Sequence, residues 1–224
     1  MPEAPDLPLL YRDDRLACFA KPSGLLVHRG WGNDDVVALD LARRAAGVRV
    51  HPVHRLDRAT SGVLLFALDP ESAAAMGRLF EAGLVHKTYL ALVRGVPPEA
   101  GVVDHPVPKT EGGPRVPAVT AFRRRHVVDR WSLVEARPAT GRLHQIRRHL
   151  KHLGHPIVGD VNYGRGEINR LFRERFDLRR LALHAVELSF EHPFTGAATS
   201  IAAALPEDLR VPLERIGFPE GVLV

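Results

Sequence analysis

One cysteine, Cys18, stands among the 224 residues. A lone thiol excludes an internal disulfide framework and any site built on several cysteine ligands. No apolar run approaches the ~18 residues that a membrane-crossing helix needs. Met1 to Pro8 carry two acids and no basic residue, so the charged start of a signal peptide is missing. Internal repeats and low-complexity tracts are absent, and so is a phosphate-binding Gly loop. These absences describe a cytoplasmic protein with one substantial core, or two small lobes sharing one.

What is present is ordinary in bulk and uneven in charge. Hydrophobic residues make up 45% and charged residues 25%, as in a soluble globular chain, and the net charge is +5. A basic balance fits a polyanionic partner. The charge is clustered: Arg123 to Arg125; then Arg142, Arg147, Arg148 and Lys151; then Arg170, Arg173, Arg175, Arg179 and Arg180. Each cluster admits a bland reading as solvated faces and salt-bridge partners. Taken together they favour phosphate contacts.

The pattern predicts strands over Leu16–Ala20, Val63–Leu68, Lys87–Arg94, Ala118–Val127 and Ser132–Arg137, and a hairpin from Leu181–Phe190 to Thr199–Ala204 around Pro193 to Gly196. It predicts a helix over Val36–Ala46 capped by Asp34 or Asp35, and a second begun by Asp69-Pro70 and ended at Gly83. Leu143, Ile146, Leu150 and Leu153 recur at helical spacing before Gly154. Val96–Pro117, rich in Pro and Gly, is expected to be an irregular connection and the crossing between lobes. Strands outnumber dispersed helices, which gives α+β with a largely antiparallel sheet.

Chemistry concentrates in His54-Arg55-Leu56-Asp57-Arg58-Ala59-Thr60-Ser61-Gly62, which sets one carboxylate between two arginines ahead of an apolar run. On the residues alone, Asp57 is either a turn Asp bonding its own backbone or a nucleophile. Written HRLDxxTSG, the segment resembles the catalytic motif of the RluA family of pseudouridine synthases. Three further segments resemble family motifs: Lys21-Pro22-Ser23-Gly24-Leu25-Leu26-Val27-His28, Lys87-Thr88-Tyr89-Leu90-Ala91, and Thr140-Gly141-Arg142-Leu143-His144-Gln145-Ile146-Arg147-Arg148-His149. The resemblance runs from Leu10-Tyr11 to about Leu205. It implies the pseudouridine synthase fold, a long mixed sheet bent into two lobes with the active-site cleft across its middle. It also implies a single catalytic domain over 1–224 without an S4 domain.

The resemblance makes Asp57 the nucleophile, Tyr89 the ring that stacks on the target uracil, and Leu183 an apolar floor beneath the base. It makes Arg147 the cation beside Asp57. Helix geometry adds to this: at ~100° per residue, Arg147 sits ~40° from Leu143 and ~60° from Leu150, on the edge of the apolar stripe. A cation there needs an anionic partner, unless the side chain snorkels to the surface. Arg55 is assigned to the flipped nucleotide or its phosphate, because a stacked uridine must be extruded to reach a protein carboxylate. Arg142, Arg148, Arg173 and Arg175 are assigned to RNA. The Lys21-Pro22-Ser23-Gly24 turn is expected to be structural, packed beneath the Asp57 loop. No cofactor and no metal are expected: the histidines at 144, 149, 152 and 155 lack an acidic ligand.

Trp31, and Asn169 to Phe176 leading into Leu178-Arg179-Arg180-Leu181, narrow the resemblance to members that modify transfer RNA. The implied target is uridine 65 in the T-stem, handled by a monomer. The alternative inside the family is a ribosomal RNA pseudouridine synthase. Outside it stand a non-catalytic RNA-binding protein and a glycoside hydrolase. The latter needs a second carboxylate as acid, and the nearest downstream acids, Asp69 and Glu71, suit a helix cap better.

Overall fold

The computed structural model describes residues 7–29 and 36–223. Trp31 and the expected caps Asp34 and Asp35 lie outside the described residues. The chain divides into two compact units, one of residues 1–86 with 185–203, the other of residues 87–184 with 204–224. Residues 96–117 fall inside the second unit.

In the first unit, Leu9–Arg12 (β1) runs antiparallel to Leu16–Lys21 (β2), and β2 antiparallel to Ser61–Ala67 (β4). A short strand, His51–Pro52 (β3), pairs with the end of β4. Leu183–Glu191 (β11) follows β4 in the strand order and forms the predicted hairpin with Ala198–Ala202 (β12). Alternate residues of these strands build the core: Leu16 and Cys18, Val63, Leu65 and Ala67, Leu188 and Phe190, with Met76 from the helix Pro70–Glu81 (α2). All seven residues of β4 are buried, which is why its sequence is a continuous apolar run rather than an alternating one. Asp69 caps α2 as expected, accepting from the Ser72 amide at 2.8 Å, with Pro70 in the first turn. The helix Ala38–Ala46 (α1) starts after Val37 and ends at Gly47 in the left-handed region.

In the second unit, His86–Arg94 (β5) pairs antiparallel with Trp131–Pro138 (β10), β10 with Val119–Val128 (β9), and β9 with Ala100–Asp104 (β6). Val107–Pro108 (β7) and Arg115–Val116 (β8) form a small hairpin. The stretch expected to be irregular therefore carries three strands. β6 lies at the end of the strand order, with Val102 exposed, and an edge strand needs no alternating burial to hold its place.

Three helices complete this unit: Gln145–His152 (α3), Gly166–Phe176 (α4) and Glu207–Ile216 (α5). The expected α3 extended back to Leu143, but His144 takes the left-handed conformation at φ 52° and the helix begins after it. On α4, Phe172 is fully buried and meets Trp131 edge-on, with ring centroids 4.6 Å apart. α5 carries Pro212 in its interior, a residue that breaks the usual helical pattern. Among the described residues no helix is long and apolar enough to cross a membrane.

Gly62 opens β4 at φ +120°, a conformation suited to glycine, and a Cβ built there would lie 2.1 Å from the Ala185 carbonyl oxygen. Gly62→Ala is expected to cost about 4 kcal/mol or more, since backbone offers no flexible end to yield. Chemical denaturation checks this; a loss under about 1 kcal/mol would show that the approach relaxes freely.

Candidate active site

Asp57 sits half-buried in the turn between Leu56, which is buried, and Thr60. The Thr60 amide donates to the Asp57 carbonyl at 3.0 Å and closes that turn. The first-motif segment grips the same loop from below. The Gly24 amide donates to the Arg58 carbonyl at 2.8 Å, and the Ser23 hydroxyl to the Ala59 carbonyl at 2.8 Å. Arg58 returns the bond, its Nε donating to the Gly24 carbonyl at 3.0 Å. Lys21, 1% exposed, ends β2, and its Nζ donates to the carbonyls of Leu25 at 2.7 Å, Pro22 at 2.9 Å and Arg58 at 3.1 Å. The ammonium thus ties both sides of the contact to one point, and the expected structural role of this motif is what the hydrogen bonds describe.

His54 anchors the other end of the loop. Its Nε2 accepts the Leu65 amide of β4 at 2.9 Å, so that nitrogen carries no proton, and its ring stacks on Phe80 at 5.2 Å. Arg55 is exposed. Asp69 and Glu71, the acids weighed for a hydrolase, are held at the start of α2: Ser72 and Arg15 engage Asp69, and Arg15 engages Glu71 at 3.0 Å.

The second unit holds Tyr89, Arg147 and Leu183, because the boundary between the units falls after His184, within β11. Tyr89 lies on β5 opposite Ala136, half-buried, and Leu183 is buried at the start of β11. Arg147 is inside rather than snorkelling, with a side chain 7% exposed. Its Nε and one Nη donate to the two carboxylate oxygens of Asp160 at 2.7 and 2.8 Å. Burial pushes the Asp160 pKa up, but the Arg147 hydrogen bonds and charge outweigh it, helped by the amides of Tyr163 and Asn162, and the net value lies below the ordinary one. Asp160 was not among the residues that sequence reasoning singled out. Only its distance of 13 residues from Arg147, with two glycines and an asparagine nearby, marks the stretch as a turn able to return a carboxylate.

Gln145 is a second residue missed. Its Oε1 accepts from the Thr140 hydroxyl at 2.6 Å and the Arg142 amide at 3.1 Å, which fixes the Thr140-Gly141 turn before α3. Its Nε2 donates to the Val119 carbonyl and the Thr120 hydroxyl. Thr120 meets Nδ1 of the fully buried His149 at 2.9 Å, and His149 Nε2 donates to the His105 carbonyl at 2.8 Å. A carbonyl can only accept, so Nε2 carries a proton, and burial is the first cause lowering the His149 pKa. Lys87, pushed below its usual pKa by burial, reaches the Thr140 carbonyl at 3.5 Å, a long contact that joins the Tyr89 strand to the same turn.

The remaining basic residues divide. Arg125 pairs with Glu135 at 2.7 Å, Arg124 donates to the Pro97 carbonyl, and Arg180 pairs with Asp208 at 2.8 Å, so these serve the fold. Arg173 and Arg175 are exposed on α4, and Arg142 is exposed with only a 3.5 Å contact to the Pro117 carbonyl. Arg148 is half-buried beside Tyr163. Among the described residues no group of three or more His, Cys, Asp or Glu side chains could hold a metal ion.

The profile of the RNA pseudouridylate synthase family matches residues 15–152, a span that takes in Asp57, Tyr89 and α3. A curated Vibrio cholerae protein, tRNA pseudouridine synthase C, is 40% identical over 97% of this chain and 99% of its own length. The Salmonella typhimurium protein of the same name is 40% identical over 95% of this chain and 90% of its own length. Among solved structures, human RNA Pseudouridylate Synthase Domain Containing 4 superposes with a TM-score of 0.78 at 29% identity, covering 93% of this chain and 92% of that one. Likeness of this extent, over a fold whose sheet is mostly antiparallel, decides the assignment: the chain belongs to the RluA family of RNA pseudouridylate synthases, isomerases that convert uridine in RNA to pseudouridine.

Proposed function

We propose that the enzyme acts on transfer RNA, at uridine 65 of the T-stem, with Asp57 as nucleophile. The observation that carries the reading is the Asp57 loop, gripped by Lys21, Ser23 and Gly24, in a chain 40% identical along nearly its whole length to curated tRNA pseudouridine synthase C. The position 65 rests on the sequence resemblance. The expectation of a cytoplasmic monomer is carried over with it.

The reaction breaks the N1–C1′ bond, turns the base, and joins C5 to C1′. C5 gives up its proton and N1 gains one, so the product has the substrate's composition. An ionised carboxylate serves each of three routes: addition at C1′, addition at C6, or assistance to elimination through a glycal. Tyr89 stacks on the extruded uracil, a contact worth roughly 1–3 kcal/mol, and Leu183 supports it from below. Arg147 supplies positive charge to the carboxylate, its guanidinium oriented by Asp160. Arg55 braces the flipped nucleotide. Arg142, Arg148, Arg173 and Arg175 bind the backbone of the stem.

Asp57→Asn keeps the shape of the side chain and removes its charge. It is expected to abolish pseudouridine formation in an unmodified tRNA transcript while tRNA affinity stays within a few fold, and a transcript with cytidine at position 65 should give no product with wild-type enzyme. Nucleotide-resolution mapping reads both. Full activity in Asp57→Asn ends the nucleophile assignment, and product at another position ends the T-stem assignment.

Asp160→Asn tests the orienting role. Breaking one partner of a buried pair costs roughly 3–5 kcal/mol, and kcat is expected to fall more than KM rises. The pKa of Asp160 in the folded protein lies below the ~3.9 of an unfolded chain. Its contribution is therefore complete above that value and lost as pH falls through the folded pKa. Urea unfolding across pH 7 to about pH 3 should show a flatter acid limb in Asp160→Asn than in wild type; superimposable limbs would contradict the pairing.

A further inference from the structure

A recess of about 260 Å³ in the second unit is lined by His105, Val107, Arg115, Arg148, Lys151, His152 and Tyr163. Three of these side chains are permanently cationic, two are imidazoles, and no carboxylate is among them. Elsewhere in this unit some cationic side chains are matched, as Arg125 is by Glu135 and Arg180 by Asp208. Here they are gathered instead. The guanidinium of Arg148, the ammonium of Lys151 and the guanidinium of Arg147 stand 5.0, 5.7 and 5.1 Å from the centre of the Tyr163 ring. The ring is held in place by its own amide, which donates to Asp160 at 3.0 Å, and by its hydroxyl, 3.0 Å from His144 Nδ1.

The imidazoles are arranged to suit the same charge. Arg115 donates to His105 Nε2 at 3.1 Å, and to the Pro106 carbonyl at 2.7 Å. A guanidinium only donates, so His105 accepts at Nε2 and is neutral. His152 stacks on it with ring centroids 3.9 Å apart and planes 15° apart. Partial burial, then His152 and Arg115, hold the His105 pKa below its ordinary value. Arg148 Nε is shielded from solvent and has no hydrogen-bond partner among the described residues. Unsatisfied buried donors are rare, and each calls for a partner.

We propose that this recess seats a phosphate of the RNA backbone, bound by Arg115, Arg148 and Lys151, with the His105–His152 pair at its wall. The inference rests on the functional reading above and extends it from Arg148 to Arg115, Lys151, His105 and His152, which that reading leaves without a role. A phosphate answers the lining better than a base does. The recess offers positive charge and N–H donors, while its one large aromatic ring already faces three cations. Asp160 links the seat to the reaction, because it orients both Arg147 and Tyr163. A phosphate held here would register the RNA against the arginine assigned to chemistry.

The test is the salt dependence of binding to a T-arm stem-loop, measured for wild type, Lys151→Ala, Arg115→Ala, the double variant, and Arg44→Ala as an exposed control on α1. One lost phosphate contact lowers the slope of log K against log[salt] by about 1. The double variant is expected to bind about tenfold more weakly at ~150 mM salt with that reduced slope. Arg44→Ala should keep the wild-type slope. Because Arg115 also holds the Pro106 carbonyl, Lys151→Ala alone, exposed and making no such bond, must show a reduced slope too. A wild-type slope in the double variant, or an equal reduction in Arg44→Ala, overturns the seat. Removing the terminal phosphate of the RNA should leave the difference intact; its disappearance would assign the recess to an RNA end and overturn the backbone assignment. Binding is read apart from turnover, so an unchanged slope in an enzyme that makes pseudouridine removes the seat alone, whereas a protein that makes none removes the functional reading.

Discussion

A buried ammonium holds the Asp57 loop in place. Lys21 ends β2 with its charge inside the protein, and three backbone carbonyls accept from it. Two of those belong to the Pro22–Leu25 turn and the third to Arg58, the residue after Asp57. A charge withdrawn from water is tolerated only where such acceptors surround it. The arrangement therefore fixes geometry as well as charge: if the Asp57 loop moved away, the ammonium would lose an acceptor. Ser23, Gly24 and Arg58 add bonds across the same seam, and His54 secures the loop to β4. The carboxylate proposed as nucleophile gains from such a frame because reacting atoms must meet within narrow tolerances.

The second unit solves a matching problem with polar chains instead of one charge. Gln145 bonds Thr120, Thr120 bonds His149, and His149 donates to the backbone at His105, next to the proposed phosphate seat. Arg147 and Tyr163 meet at Asp160. A fully satisfied buried network is rigid, and each member fixes the donor and acceptor roles of the next. The residues assigned to RNA and to chemistry in this unit thus rest on side chains that touch neither.

Much of this was legible in the sequence, for identifiable reasons. β4 is a continuous apolar run because both its faces are covered, and α2 is announced by Asp69-Pro70. The inward position of Arg147 follows from helical spacing against Leu150. What escaped were features whose cause lies outside the local pattern. β6 is an edge strand and β7–β8 a two-residue pairing among prolines and glycines. α5 contains Pro212. Leu143 fits the helical period, yet the Gln145 side chain holds the preceding turn out of the helix. Asp160 reads as a loop acid until the fold returns it to Arg147. Charge clusters were the least specific signal, since Arg125 and Arg180 turned out to serve the fold beside residues assigned to RNA.

The central claim, that the Lys21 ammonium holds the Asp57 turn in its working shape, is tested by Lys21→Met, which keeps the stem and removes the donors. Amide exchange at Thr60, whose N–H closes the turn, should quicken by about tenfold or more as unpaired carbonyls destabilise the loop by roughly 1–3 kcal/mol, and kcat should fall with tRNA affinity nearly intact. A Thr60 amide as protected as in wild type, together with undiminished turnover, would contradict the account.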